Sequence, residues 1–256
     1  MKFQEIASMV GDVPFITRGN GRYLYDLILK EKLTNILELG IAHGTATCYM
    51  AAALQELGEG SITAVDLIGV KDVFEPSAEQ QLATTGLEDF ASVVRMQTGY
   101  TWFLHDEIVK RTRNDVCEEV YDLCIIDGPK NWTIDGAAFF FADKLLKKNG
   151  WMIFDDYNWT YAGADNQRDA TDGITHRQLS KDEQEIPQIK EVFELLVKQH
   201  PNYGNLLVLD EADWVLAQKT MSQDKQYRII DKPKENGIMG SISRRVSRKM
   251  RQLTSR

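Results

Sequence analysis

Residues 35–47 read Asn35-Ile-Leu-Glu-Leu-Gly-Ile-Ala-His-Gly-Thr-Ala-Thr47, a short apolar strand that runs into two glycines and then into a helix. Gly40 can adopt backbone angles that a side chain forbids, and Gly44 lets the helix begin close to whatever lies across the turn. Glu38 offers a carboxylate to a ligand hydroxyl or amine. The dinucleotide fingerprint is absent because Ala42 stands at its second glycine. The segment predicts a nucleotide-like ligand without a pyrophosphate.

The composition describes an acidic chain of 256 residues, of which 43% are hydrophobic. This length and hydrophobic fraction predict one large domain, or one domain with appendages. No apolar run is long enough to span a membrane, and the first residues lack the apolar core of a signal peptide, so we expect a cytoplasmic protein. The three cysteines lack metal-site spacing and are expected to be small apolar residues.

The charge is distributed unevenly along the chain. The net charge of −8 combines −14 in residues 1–240 with +6 in residues 241–256, which contain no acidic side chain. An acidic body argues against general nucleic-acid binding. Residues 220–256 form a tail with an apolar stripe at helical spacing: Met239, Ile242, Val246, Met250 and Leu253. We expect this tail either to contact an anionic membrane surface or an acidic partner, or to be a frayed terminus.

Apolar runs bounded by turn residues alternate with stretches of helical period, which predicts an α/β protein with a mostly parallel sheet. The predicted strands are 35–39, 61–67, 92–98, 121–127, 151–155, 205–210 and 214–218, and the predicted helices are 45–57, 77–84, 102–113, 133–147 and 188–200. The last two strands are too close in sequence for a crossover helix. We therefore expect a Rossmann-like, doubly wound sheet of seven strands that ends in an antiparallel hairpin.

This plan resembles the class I S-adenosylmethionine-dependent methyltransferases, whose first strand ends in an E-x-G-x-x-x-G loop like that of residues 38–44. The resemblance covers about residues 14–219 and implies a single methyltransferase domain over residues 1–219. It implies S-adenosylmethionine as the cofactor, with Asp66 on the ribose hydroxyls and Thr101 beside the adenine ring. The cofactor-binding residues that it implies are Glu38, Gly40, Ala42, Gly44, Asp66, Gly99, Thr101 and Asp127.

A second group of acidic residues ends the fourth and fifth predicted strands: Asp127, followed along the chain by Asp155 and Asp156. Because the ends of adjacent parallel strands are neighbours, we expect these three carboxylates to converge. Their mutual repulsion favours a bound cation, and an all-oxygen ligand set indicates Mg²⁺, Mn²⁺ or Ca²⁺. The alternative is that Asp155 and Asp156 cap a helix or lie solvated in a loop.

This pattern is similar to the metal-dependent O-methyltransferases, including the catechol and caffeoyl-CoA types and the macrolide and aminocoumarin sugar types. The resemblance implies that Asp127, Asp155 and Asp156 hold a divalent cation, with Mg²⁺ first. It also implies methyl transfer to a phenolic or sugar hydroxyl of a small molecule. In the catechol-like families a lysine three residues after the first aspartate is the general base, which matches Lys130, provided that burial or the cation depresses its pKa. In the sugar-type families an aspartate two residues after the first aspartate is the general base. This chain has Pro129 at that position.

The segment 157–187 is polar and too long for an ordinary connection between a strand and a helix. We expect it to be a substrate lid, with candidate acceptor contacts from Trp159, Tyr161, Arg168 and His176; the alternative is a disordered surface insertion. His43 is expected to pack or to face solvent.

Two other functions stay open at this point. One is a metal-independent methyltransferase, in which the aspartates position the cofactor amine and a polar substrate. The other is a non-catalytic cofactor-binding or scaffold protein that has kept the fold and acts through its tail. The sequence identifies neither the methyl acceptor nor the oligomeric state, so a homo-oligomer also stays open.

Overall fold

The structure is a computed structural model that describes residues 1–163 and 179–222. Its first half contains α1 (Phe3–Val10), α2 (Arg18–Glu31), β1 (Asn35–Leu39), α3 (Thr45–Leu57), β2 (Ser61–Leu67), α4 (Ala78–Thr85), β3 (Ala91–Met96), α5 (Tyr100–Arg111) and a small hairpin of β4 (Thr112–Arg113) and β5 (Val116–Cys117). Then follow β6 (Tyr121–Ile126), α6 (Trp132–Asp143), β7 (Leu146–Phe154), α7 (Lys181–Glu185), α8 (Gln188–Glu191), a π-helical segment (Val192–Val197), β8 (Tyr203–Leu209) and β9 (Trp214–Lys219).

The main sheet has seven strands in the order β3-β2-β1-β6-β7-β9-β8. Strands β1, β2, β3, β6 and β7 pair in parallel, whereas β9 runs antiparallel to both β7 and β8. The predicted fold class, a mostly parallel sheet that ends in an antiparallel hairpin, is confirmed. Because five parallel strands end at one edge, the loops after β1, β2, β3, β6 and β7 meet there.

Two predictions about local structure were wrong. The helix predicted over 133–147 ends at Asp143, and β7 begins at Leu146, which pairs with Tyr121. The register with β6 shifts between Leu146 and Trp151, so the strand continues through residues 147–150 with an irregular pairing. The predicted helix over 188–200 is a short α-helix that continues as the π-helical segment.

The predictions also omit the helices α1 and α2. Helix α1 buries Phe3, Ile6, Ala7 and Val10, which follow helical spacing, and Thr17 caps α2 by accepting a hydrogen bond from the backbone N–H of Asn20 at 3.0 Å. Both helices pack on α3. Their importance for the site is that the connection between them reaches the carboxyl ends of the strands.

The central strands of the main sheet are buried from both faces. The β1 residues Ile36, Leu37 and Leu39 are fully buried, with one apolar layer beneath α1, α2 and α3 and the other beneath α5, α6 and the π-helical segment. Residues Met1–Ser222 form one compact unit, and the tail predicted from residue 220 lies almost wholly outside the described residues. None of the described residues forms a helix long and apolar enough to cross a membrane.

Candidate active site

The loop after β1, residues 40–44, is called the glycine loop here. Gly40 has φ +89°, and a Cβ atom on it would lie 2.0 Å from the backbone oxygen of Asp127. Gly44 has φ +76°, and a Cβ atom there would lie 2.5 Å from the Cβ of Ala78 on α4. Both positions therefore require glycine, because any side chain would collide with a neighbouring element as well as strain the backbone. The close approach at Gly40 brings the loop after β1 against the turn after β6.

Asp66, at the end of β2, holds the glycine loop through its carboxylate. Oδ2 accepts hydrogen bonds from the backbone N–H groups of Ile41 at 2.9 Å and Ala42 at 3.1 Å, and Oδ1 accepts one from Leu67 at 2.7 Å. The same side chain lines the cavity described below. Asp66 is thus an organiser of the loop, and the ribose contact implied by the resemblance stays a prediction.

Glu38 lies beneath the glycine loop rather than among the described residues that line the cavity. It is only 2% exposed and accepts a hydrogen bond from the Thr47 hydroxyl at 2.6 Å. Burial raises the pKa of Glu38 to about 8. The structure therefore does not bring Glu38 to a direct ligand contact, and it is protonated at neutral pH in this arrangement.

A cavity of about 1280 Å³ opens at the carboxyl edge of the sheet. Six of the predicted cofactor-binding residues line it: Gly40, Ala42, Asp66, Gly99, Thr101 and Asp127. Sequence reasoning missed a further part of the wall, which comes from the connection between α1 and α2, the start of α2, the segment after β2 and the terminal hairpin: Phe15, Ile16, Thr17, Asn20, Val70, Val73, Phe74 and Ala212. His43 packs behind this wall, since its ring stacks on Phe15 at 5.5 Å between centroids.

Asp127, Asp155 and Asp156 converge on the same cavity, and we call them the acidic cluster. Each offers one carboxylate oxygen, and these oxygens lie within 4.8 Å of one another. The predicted convergence is therefore what the structure shows. The Nζ of Lys130 lies among them, in contact with Asp127 and 3.2 Å from one oxygen each of Asp155 and Asp156. The lysine side chain is 4% exposed.

Burial and the charges of three carboxylates and one ammonium determine the pKa values within the acidic cluster. Burial and the charge of Asp155 raise the pKa of Asp127 well above its usual value, and burial also raises that of Asp156. For Asp155 burial acts in the same direction, but Lys130 and hydrogen bonds outweigh it and lower the pKa. Burial alone would lower the pKa of Lys130, yet the three carboxylates raise it well above its usual value. In this arrangement burial therefore does not suffice to depress the lysine pKa, and its depression by a bound cation stays a prediction.

Backbone and hydrogen-bond constraints fix the cluster. Lys130 and Asp156 both occupy the left-handed region, with φ of 63° and 58°, which is costly for residues other than glycine and is typical of functional sites. The indole N–H of Trp214, the first residue of β9, donates to Oδ1 of Asp155 at 2.5 Å. Sequence reasoning missed Trp214, because only the pairing of β9 with β7 brings it to Asp155.

The acidic cluster fits a divalent cation of the hard, oxygen-preferring kind. Its donors are all carboxylate oxygens, the ligand type that Mg²⁺ and Ca²⁺ prefer. Burial is the main cause of the raised pKa values of Asp127 and Asp156, and since one ammonium does not balance three carboxylates, an excess of negative charge also remains. A divalent cation would relieve it.

The first residues of the predicted lid support the turn that contains Lys130. The hydroxyl of Tyr161 donates to the backbone oxygen of Pro129 at 2.7 Å, and Trp159 packs edge-on against Tyr161. Tyr161 is thus a buried support of this turn. Two other predicted lid contacts, Arg168 and His176, lie outside the described residues.

Comparison with known proteins shows which proteins this chain is similar to. Residues 37–157 match a family model described as a methyltransferase domain. No curated protein sequence matches the chain. Among solved structures, a Staphylococcus aureus protein provisionally assigned as a caffeoyl-CoA O-methyltransferase is 24% identical with a TM-score of 0.57, and the match covers 85% of this chain and 90% of that one.

Two further structures contain the cofactor or its product. An O-methyltransferase of Bacillus cereus in complex with SAH is 20% identical with a TM-score of 0.55, covering 84% of this chain and 87% of that one. The O-methyltransferase TomG of Streptomyces achromogenes, in complex with SAM, is 19% identical with a TM-score of 0.54, covering 86% and 89%. The chain therefore has the fold of the solved O-methyltransferases, and its residues 37–157 are similar to a methyltransferase domain.

Proposed function

We propose that the protein transfers a methyl group from S-adenosylmethionine to a hydroxyl oxygen of a small molecule, either a phenol or a sugar, with the help of a divalent cation. The observation that carries this proposal is the meeting of the glycine loop and the acidic cluster in one cavity, where a Cβ on Gly40 would touch the backbone of Asp127. A ligand on the loop is thereby adjacent to the charged groups.

The similar structures support oxygen as the acceptor atom. All three are described as O-methyltransferases, and the Streptomyces achromogenes protein is described as involved in tomaymycin synthesis. At these identities the likeness concerns the fold, so the acceptor of this chain is inferred from its own acidic cluster. Carboxylates and a buried lysine suit the binding and deprotonation of a hydroxyl better than they suit an apolar carbon acceptor.

The roles of the residues follow from their positions. When bound, S-adenosylmethionine supplies the electrophilic methyl group, and a divalent cation lowers the pKa of a coordinated hydroxyl. Gly40, Ala42, Asp66, Gly99 and Thr101 would hold the cofactor against the carboxyl edge of the sheet. Asp127, Asp155 and Asp156 would hold the cation.

Lys130 is proposed as the residue that receives the acceptor proton. It can do so only when its ammonium has lost a proton, which the three carboxylates oppose in the free protein. If the three carboxylates held a divalent cation, they would stabilise the Lys130 ammonium less. Burial of the amine would still favour its neutral form.

One observation favours a second candidate, a metal-independent methyltransferase. The Lys130 ammonium already contacts all three carboxylates, so a lysine is the cation of the cluster in this structure. In that case the aspartates would position the cofactor amine and a polar substrate.

Calorimetry and turnover assays separate these functions. We expect S-adenosylmethionine to bind to the full-length protein, and a panel of phenols and sugars to be methylated only when Mg²⁺ is present and chelator is absent. Turnover that is indifferent to Mg²⁺ and to chelator would support the metal-independent enzyme. Failure to bind the cofactor at all would contradict both and favour a scaffold.

We further propose that the basic tail contacts an anionic membrane surface. The support is its sequence alone, with six basic side chains and no acidic one over residues 241–256. Replacing Arg244, Arg245 and Arg248 by Gln in the full-length protein should reduce its sedimentation with phosphatidylserine vesicles. Equally weak sedimentation of both proteins would refute the membrane contact.

A further inference from the structure

We infer that Trp214 is a positioning residue, whose indole N–H fixes the carboxylate of Asp155 in the orientation that lets it converge with Asp127 and Asp156. Its predicted effect on cation affinity rests on the proposed function, since that function assigns the cluster a cation.

The two oxygens of Asp155 have different hydrogen-bond partners. Oδ1 accepts from the Trp214 indole at 2.5 Å, and Oδ2 accepts from Lys130 at 3.2 Å. The hydrogen bond from the indole uses one oxygen and leaves the other directed at the cluster. Rotation of the carboxylate away from the cluster would therefore break this partly buried hydrogen bond.

The indole itself is held from two directions. Trp214 is 4% exposed and pairs with Leu209 across the terminal hairpin. Its ring meets the ring of Tyr23, on α2, edge-on at 6.2 Å between centroids. A donor fixed by both the sheet and a helix can direct a carboxylate, whereas a mobile donor would follow it.

The hairpin also holds the turn that follows the cluster. The backbone N–H of Tyr157 donates to the backbone oxygen of Asp213 at 2.9 Å, and that of Asn158 donates to the Asp213 carboxylate at 3.0 Å. Trp214 and Asp213 thus contact the residues on both sides of Asp156. The terminal hairpin is therefore part of the support of the site as well as an edge of the sheet.

The three aspartates of the acidic cluster differ in the donors that contact their side chains. Within residues 1–163 and 179–222, the side chains of Asp127 and Asp156 contact Lys130, and Asp155 is the one that also has a donor from the hairpin. Loss of a hydrogen bond that orients a metal ligand typically lowers metal affinity 10- to 100-fold.

The test uses Trp214→Phe, which keeps an aromatic ring and removes the N–H. Calorimetric titration of the full-length protein with Mn²⁺ alone should show affinity about 10-fold weaker than that of the wild-type protein. The matched control is Trp151→Phe on the neighbouring strand β7. Trp151 is 9% exposed, and its Nε1 is buried without a hydrogen-bond partner in the described part of the chain. This control removes the same atoms but no hydrogen bond, so its Mn²⁺ affinity should equal that of the wild-type protein.

Two results would overturn the inference. One is wild-type Mn²⁺ affinity in Trp214→Phe, and the other is an equal loss in both variants, which would indicate a packing effect. If the wild-type protein binds no Mn²⁺, the cation of the proposed function fails, and Trp214 is judged by NMR instead. Its indole N–H resonance, assigned by its absence in Trp214→Phe, should move upfield in Asp155→Ala while that of Trp151 stays in place. An unmoved Trp214 resonance would show that the indole does not hold Asp155.

Discussion

The glycine loop and the acidic cluster face the same cavity, but different forces hold them in place. In the loop, Gly40 and Gly44 are fixed by contacts between backbones that leave no room for a Cβ atom. In the cluster, carboxylates are fixed by Lys130 and Trp214, and the balance of charge decides the arrangement. The conformation of the loop is therefore set by steric contacts and needs no ligand. The cluster has an excess of negative charge, which a bound cation would reduce.

This difference predicts how the two regions respond to substitution. Changes in the loop should act on cofactor affinity, and changes in the cluster should act on turnover and cation affinity. Variants that affect both properties equally would show that the two regions are not separable.

The largest effect is expected for Lys130→Met. The side-chain stem and its packing are retained, but the ammonium is lost, and general acid–base groups contribute at least about 100-fold to rate. We expect turnover to fall by about 1,000-fold while cofactor affinity stays within roughly 2-fold of the wild-type value. Steady-state kinetics and calorimetry on the same preparation check both. Unchanged turnover would remove Lys130 as the base.

The next largest effect is expected for Gly40→Ala. The new Cβ would lie 2.0 Å from the Asp127 backbone oxygen, so the loop must move. Cofactor affinity should fall by about 100-fold, the equivalent of roughly 3 kcal/mol. Gly69→Ala is the matched control, because a Cβ there meets nothing within 4 Å. Equal affinity of the two variants would contradict a steric loop.

A smaller effect is expected for Glu38→Gln, measured as stability against pH. Burial raises the pKa of Glu38 from 4.5 to about 8. A carboxyl with a raised folded-state pKa contributes stability that is fully present below pH 4.5 and is lost as the pH rises through about 8. The variant lacks this titration, so between pH 4.5 and pH 9 it should lose less stability than the wild-type protein by a few kcal/mol, at about 1.4 kcal/mol per pKa unit. Urea unfolding of both proteins at pH 4.5 and pH 9 measures this difference. An equal change in stability of the two proteins between these pH values would show that the pKa of Glu38 is not raised.

The same contrast explains what the sequence could predict. The strand–glycine–helix order of residues 35–57 is local, and the ends of adjacent parallel strands are neighbours in any such sheet, so the loop and the convergence of Asp127, Asp155 and Asp156 were predictable. The position of the Lys130 ammonium was not, because a rotamer and a left-handed backbone angle decide it. Trp214 reaches Asp155 only through the pairing of β9 with β7, a non-local contact.

The walls of the cavity were missed for a related reason. Helix α1 was visible in the spacing of Phe3, Ile6 and Val10, yet the approach of Phe15 and Ile16 to the carboxyl edge depends on the packing of α1 and α2 on α3. Local patterns specify the elements, whereas the surroundings of a ligand depend on packing between distant segments.

The most direct test of the account is calorimetric titration of S-adenosylhomocysteine into three proteins: the wild type, Gly40→Ala, and the double variant Asp155→Ala with Asp156→Ala. If the loop binds the cofactor and the cluster performs the reaction, the wild type and the double variant should bind with similar affinity, and Gly40→Ala should bind about 100-fold more weakly. No binding to the wild-type protein, or equal loss of affinity in both variants, would contradict it.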